Sequence, residues 1–107
     1  MEKIYNKLVR DKIPEIIRSN NQTPYTKVLN EKEFKTALEE KLYEEYKEVL
    51  TSSGEERAFE LADMLEVIKA LAKVEGKTIE DILLIADQKN LKRGAFNERI
   101  FLEKVDE

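Results

Sequence analysis

Cysteine and histidine are both absent from the sequence. Without cysteine the chain can form no disulfide, no thiol nucleophile and no thiolate metal site, which fits a reducing cytoplasm. Without histidine it has no imidazole base, no Ser-His-Asp triad and no ordinary zinc centre. Any hydrolytic chemistry must therefore depend on carboxylates, lysines, arginines and a metal ion.

The sequence also lacks a signal peptide at its start, a long apolar run and an excess of positive charge. No apolar stretch approaches the roughly 20 residues of a membrane-spanning helix. The net charge of −4 provides no general attraction to nucleic acid. A chain of 107 residues is long enough for one small domain and too short for two. We therefore expect a single cytoplasmic domain, residues 1–107, that binds neither a membrane nor nucleic acid.

Four segments carry the signals of helices. The first begins near Asp11, a plausible N-cap, and ends near residues 19–21. The other three begin with a capping-box pattern, in which a polar residue precedes an acidic one by three positions. These pairs are Asn30–Glu33, Ser53–Glu56 and Thr78–Asp81. Gly76 and Gly94 follow the last two helices, where a left-handed residue is favoured.

Two segments outside these helices are interpreted as short strands, residues 25–29 and 99–105, which we expect to pair because an isolated strand is unstable. The predicted fold is all-α, a four-helix bundle with at most this one strand pair. The helix that begins at Ser53 is apolar over more than half its circumference, so we expect a homodimer or larger assembly. The candidates for burial within or between chains are Leu61, Leu65, Ile68 and Leu71.

Two carboxylate clusters lie on consecutive predicted helices, Glu44-Glu45-x-x-Glu48 and Glu60-x-x-Asp63. On a helical wheel, Glu45 interrupts the apolar stripe of its helix and Glu48 lies near the edge of that stripe. Glu60 and Asp63 lie within the apolar arc of the next helix. Two helices can therefore direct four carboxylates at one place.

Carboxylates that converge in an apolar seam are costly unless a positive charge compensates them. A divalent cation would do so, and oxygen-only ligands favour Mg²⁺ or Mn²⁺ over zinc. The alternative is that each acid pairs with a basic residue at the rim, Lys41, Lys47 or Arg57.

The paired carboxylate clusters resemble those of the all-α nucleoside triphosphate pyrophosphatases, the MazG-like superfamily, which includes phosphoribosyl-ATP pyrophosphatase. Residues 5–14 and 92–100 are similar to one branch of that superfamily. They read Tyr-Asn-Lys-Leu-Val-Arg-Asp-Lys-Ile-Pro and Lys-Arg-Gly-Ala-Phe-Asn-Glu-Arg-Ile. Together the similar segments span nearly the whole chain, although Ala95 stands where a glycine is expected.

The resemblance implies Mg²⁺-dependent hydrolysis of a nucleoside triphosphate between its α and β phosphates, with a house-cleaning role in the nucleotide pool. Mn²⁺ could replace Mg²⁺. The implied metal ligands are Glu45, Glu48, Glu60 and Asp63, with Glu44 a less certain neighbour. Either Glu45 or Glu48 would accept the proton of the attacking water.

Two groups of basic residues are candidates for binding the phosphates. One group comprises Lys89, Lys92, Arg93 and Arg99, and the other comprises Lys7, Arg10 and Lys12. Favourable interaction with a helix dipole is the alternative explanation for the first group, and a solvated terminus for the second.

Two other functions remain open. A phosphoribosyl-ATP pyrophosphatase of histidine synthesis would use the same metal site on another substrate. A non-enzymatic acidic helical module would instead engage a basic partner, and magnesium would not stabilise it.

Overall fold

The computed structural model describes residues 1–106, so Glu107, the last residue of the predicted domain, lies outside the described residues. The described chain is all-helical, and this part of the predicted fold class is confirmed. Its four helices are α1 (Ile13–Ser19), α2 (Glu31–Thr51), α3 (Gly54–Val74) and α4 (Ile79–Arg93).

The starts of α2 and α4 are stabilised by the predicted capping boxes. The Glu33 N–H donates to the Asn30 side chain at 2.8 Å, and the Asn30 N–H donates to the Glu33 carboxylate at 3.1 Å. Thr78 and Asp81 make the same reciprocal pair at 3.1 and 2.9 Å. Each box satisfies helix N–H groups that have no partner within the helix.

Helix α3 starts where the sequence predicts but without the predicted capping bonds. Ser53 is its N-cap residue, and within the described chain the Ser53 side chain makes no cap hydrogen bond. At the other end, Gly76 has a φ of +73°, which a glycine adopts without strain. The Lys77 N–H donates to the Ala72 carbonyl at 2.8 Å and the Gly76 N–H donates to the Lys73 carbonyl at 3.0 Å. This is a Schellman motif, and it confirms Gly76 as the end of the helix.

Helices α2 and α3 form an antiparallel hairpin that contains the core. Lys35, near the start of α2, lies 3.7 Å from Glu75 at the end of α3. The buried apolar residues all lie on these two helices, and they are Leu38, Val49, Val67 and Ala72. Among the described residues, α4 packs against α3 alone and α1 packs against no other helix. The single chain is consequently elongated, with extents of 62 × 33 × 25 Å.

The predicted strand pair is wrong. Neither residues 25–29 nor residues 99–105 form a strand, and no backbone hydrogen bond joins the two segments in the described chain. Val28 is 99% exposed and Phe101 is 87% exposed. Each segment has residues typical of strands but no partner beside it, and a strand needs a hydrogen-bonded neighbour.

The first helix begins one residue later than predicted, with Lys12 rather than Asp11 as its N-cap residue. An N-cap side chain bonds to the N–H of the second or third helical residue. For Asp11 these would be Ile13 and Pro14, and proline has no N–H. The Ile13 N–H instead donates to the Arg10 carbonyl at 3.0 Å, so Asp11 has no donor to cap.

None of the helices in the described part of the chain is both long enough and apolar enough to cross a membrane.

Candidate metal centre

Three of the predicted acidic residues converge between α2 and α3. Glu45 lies in the middle of α2, and Glu60 and Asp63 lie in the first half of α3. One carboxylate oxygen from each lies within 4.8 Å of the other two. Glu60 and Asp63 are three positions apart, so their side chains share one face of α3, and the hairpin places that face opposite Glu45. We call Glu45, Glu60 and Asp63 the acidic cluster.

Glu45 is the buried member of the cluster, with only 7% of its surface exposed. Burial raises the pKa of Glu45, and the nearby carboxylates of Asp63, Glu60 and Glu44 raise it further. The Lys41 ammonium, 3.6 Å from the Glu45 carboxylate, opposes this effect but does not overcome it. The ionised form of Glu45 is therefore disfavoured, and a further cation beside it would stabilise that form.

Glu60 and Asp63 are half-buried and open to one side of the hairpin. The Arg10 guanidinium donates a hydrogen bond to Asp63 Oδ1 at 2.7 Å. Glu60 forms no ion pair with any residue the structure describes. The cluster therefore contains one enclosed carboxylate, one paired with arginine and one without a basic partner.

The structure places Glu44 and Glu48 outside the acidic cluster as far as the chain is described. Glu48 is exposed on the next turn of α2. Glu44 is half-buried and pairs with Lys41 at 3.6 Å and with Lys7 at 3.7 Å. Glu48 is rotated by about 60° around the helix from Glu45, and on α2 this rotation leads toward solvent, whereas Glu60 and Asp63 on α3 both stay half-buried.

The alternative of simple ion pairing holds for one of the three basic residues considered. Lys41 pairs with both Glu44 and Glu45. The Lys47 ammonium lies 4.8 Å from the centre of the Tyr43 ring instead. Arg57 forms no ion pair within residues 1–106. The rim lysines therefore do not neutralise the cluster as a group.

The donor set fits a hard divalent cation. In octahedral Mg²⁺ coordination, with bonds of about 2.1 Å, ligand oxygens lie roughly 3.0 to 4.2 Å apart. One carboxylate oxygen from each residue of the acidic cluster lies within 4.8 Å of the other two, which is close to this spacing. Carboxylates from Glu45, Glu60 and Asp63 would hold the ion and leave positions for water and phosphate oxygens.

The basic residues of the two ends of the chain lie in different surroundings. Lys7 and Arg10 reach the hairpin through their pairs with Glu44 and Asp63. Lys12 is exposed at the start of α1. The C-terminal basic residues are exposed and form no ion pair with the acidic cluster in the part of the chain that is described. They are Lys89, Lys92, Arg93 and Arg99.

Two contacts of the site differ in whether the sequence could anticipate them. The pair between Lys41 and Glu45 could be predicted from the sequence, because residues four apart on a helix are neighbours. The bond between Arg10 and Asp63 could not be predicted, because 53 positions separate the two residues and only the tertiary fold brings them together.

Comparison with known proteins adds little to these observations. No family model matches the chain. No solved structure matches it. An uncharacterised protein of Mycolicibacterium smegmatis is 42% identical over 53 residues, which cover 50% of this chain and 54% of that protein. The chain thus spans about half the length of the curated relative it matches, and that relative carries no stated activity.

Proposed function

We propose that this protein is a Mg²⁺-dependent nucleoside triphosphate pyrophosphohydrolase that releases a nucleoside monophosphate and pyrophosphate. The observation that carries the proposal is the convergence of Glu45, Glu60 and Asp63, with Glu45 buried among them. A buried carboxylate with a raised pKa gains most from a cation placed beside it. The sequence resemblance to the MazG-like pyrophosphatases implies these three residues together with Glu48.

The roles of the side chains follow from their positions. Glu45, Glu60 and Asp63 would hold the metal, which when bound neutralises the triphosphate and activates a water. Glu48 is exposed one turn beyond Glu45 and is not one of the three metal ligands. It is therefore the candidate to accept the proton of that water. Arg10, which already reaches the cluster, is positioned to contact a phosphate.

We also propose that two copies of the chain associate. Leu61 and Leu65 are exposed on α3, and Leu83 and Leu84 are exposed on α4. Groups of exposed apolar side chains mark association sites on many soluble proteins. Two hairpins packed through these leucines would form a four-helix bundle across the two chains.

The activity is tested by measuring pyrophosphate release from a panel of nucleoside triphosphates by the full chain with Mg²⁺. We expect pyrophosphate rather than orthophosphate, and no release after chelation of the metal. Glu60→Gln and Asp63→Asn should each lower the rate by about 100-fold or more, because each removes a ligand.

The matched control is Glu66→Gln, the same change on the solvent-facing side of α3, where Glu66 pairs with Lys69 at 3.2 Å. Its rate should equal that of the wild type. Unchanged rates in Glu60→Gln and Asp63→Asn would overturn the metal assignment. Including phosphoribosyl-ATP in the panel separates a histidine-synthesis enzyme from a general pyrophosphatase. A non-enzymatic module would show neither release nor a Mg²⁺-dependent rise in Tm.

A further inference from the structure

The N-terminal segment, residues 1–12, lies across the acidic side of the hairpin and is fixed to both of its helices. Lys7 Nζ lies 3.7 Å from Glu44 Oε1 on α2. Arg10 Nη2 lies 2.7 Å from Asp63 Oδ1 on α3. Leu8, between them in sequence, is half-buried and lines a small cavity with Ala37 of α2. The segment therefore connects α2 and α3 over the site.

The two ion pairs differ in their relation to the acidic cluster. Glu44 lies outside the cluster and pairs with both Lys7 and Lys41. Asp63 belongs to the cluster, so Arg10 supplies a positive charge where the proposed metal must bind. A carboxylate oxygen that accepts a short hydrogen bond from a guanidinium is a weaker ligand for a second cation. Arg10 and the metal thus compete for Asp63.

Arg10 is able to leave Asp63 without disturbing the fold. Both side chains of the pair are about half exposed, and such pairs contribute little to stability. The Arg10 backbone carbonyl is held separately by the Ile13 N–H at 3.0 Å, so the side chain can move while the start of α1 keeps its hydrogen bond. A guanidinium carries five N–H donors in a planar fork that matches a phosphate as well as a carboxylate.

We propose that Arg10 exchanges partners during the binding cycle, an inference that rests on the proposed function. With no metal bound, it neutralises Asp63 and holds the N-terminal segment over the cluster. When Asp63 becomes a metal ligand, Arg10 is released, and it then binds a phosphate oxygen of the incoming triphosphate. The same residue therefore opposes metal binding in the absence of nucleotide and strengthens the binding of the phosphate chain.

The first test measures Mn²⁺ binding to the full chain by electron paramagnetic resonance, without nucleotide. Arg10→Gln should bind Mn²⁺ about two- to fivefold more tightly than the wild type, because a competing cation is gone. Arg18→Gln is the matched control, since Arg18 is exposed at the end of α1 and forms no ion pair with any described residue. Its affinity for Mn²⁺ should equal that of the wild type.

The second test measures binding of magnesium tripolyphosphate, which carries the phosphate chain without a base, by calorimetry. Arg10→Gln should bind it about tenfold more weakly, because a charge-assisted hydrogen bond to phosphate is lost. Opposite changes in the two affinities distinguish partner exchange from a merely structural role, which would weaken both.

The third test uses the absence of cysteine, which makes a single introduced cysteine a clean labelling site. A nitroxide attached to Ile4→Cys, at an exposed position of the segment, should become more mobile when Mg²⁺ is added. In the Arg10→Gln background the label should be mobile before Mg²⁺ is added.

The outcomes separate this inference from the function on which it rests. If the wild type binds no Mn²⁺, both the metal site and the exchange are wrong. If it binds Mn²⁺ but Arg10→Gln binds the ion equally or more weakly, the metal site stands and the exchange is wrong. The exchange would also be wrong if Arg10→Gln bound tripolyphosphate as tightly as the wild type. It would be wrong as well if Mg²⁺ did not change the mobility of the label in the wild-type background.

Discussion

The α2–α3 hairpin and the C-terminal part of the chain, α4 with residues 94–106, both carry apolar side chains, but only the hairpin buries them. Leu38 on α2 and Val67 on α3 are both buried in the hairpin. In the described C-terminal part no residue is buried, and Leu91 and Phe96 are 89% and 96% exposed. The short connection between α2 and α3 supplies each with a facing helix, whereas α4 meets α3 alone.

This difference shows that an apolar pattern predicts a surface that needs covering, not the partner that covers it. The hairpin also encloses Glu45, so the same packing that makes the core makes the candidate site. The C-terminal basic residues lie on α4 or, for Arg99, beyond its end, and α4 packs against α3 alone in the described chain. The comparison leads to four experiments, ordered by the size of the expected effect.

The first compares Leu38→Ala with Leu91→Ala. Leu38 is 3% exposed, and its truncation should lower the free energy of unfolding by about 3 kcal/mol through lost burial and a residual cavity. Leu91→Ala should change it by less than about 0.5 kcal/mol, as for exposed positions generally. Urea denaturation at several protein concentrations measures both. Equal losses would mean that α4 is covered in solution and that the contrast between the two regions is not real.

The second tests whether another copy covers the exposed leucines. Leu65→Glu should weaken the proposed dimer by about 10- to 100-fold, because a charge is placed in an apolar contact. Lys69→Glu also introduces a carboxylate, but on the solvated side of α3, and should leave association unchanged. Sedimentation at micromolar concentration gives the oligomeric state. A compact wild-type monomer there would show that the dimer prediction is wrong.

The third experiment replaces Glu45, the buried carboxylate of the acidic cluster. Because the pKa of Glu45 is raised in the folded protein, the native state holds its proton more tightly than the unfolded chain. The folded state therefore loses stability as pH rises from 4.5, the ordinary value, through the folded pKa. Glu45→Gln removes this loss. At pH 7 without metal, the free energy of unfolding of the variant should exceed that of the wild type by on the order of 1 kcal/mol.

Thermal unfolding between pH 4 and 8 measures this effect, with Glu39→Gln on the exposed side of α2 as the control. Added Mg²⁺ should reverse the order, stabilising the wild type and not the Glu45→Gln variant. A Glu45→Gln variant that is less stable than the wild type at pH 7 without metal would contradict the inference that the ionised form of Glu45 is disfavoured in the folded protein.

The fourth compares two helix starts that look alike in sequence. Asn30→Ala should lower stability by about 1 kcal/mol, because it removes the cap seen at α2. Ser53→Ala should have less than about 0.5 kcal/mol of effect, because the Ser53 side chain makes no cap bond within the described chain. Chemical denaturation of the two variants measures the difference. Equal losses would indicate that Ser53 caps α3 in solution.

Features governed by neighbouring residues were predictable. The capping boxes at Asn30 and Thr78 and the helix end at Gly76 depend on groups at most five positions apart, so short sequence patterns identify them. The inward direction of Glu45 was predictable for a related reason, since it follows from the period of one helix. The strand pair failed because its formation depended on a distant partner that is not there.

By itself, then, the sequence determined four helices, the starts and ends of most of them, and a set of four candidate acids on two consecutive helices. Only the tertiary structure decided that Glu45, Glu60 and Asp63 meet while Glu48 faces water, and that Arg10 bonds to Asp63 across 53 positions. The physical reason is the distance along the chain over which each interaction acts. Backbone capping and helical period act within a few residues, whereas convergence of charges depends on how whole helices pack.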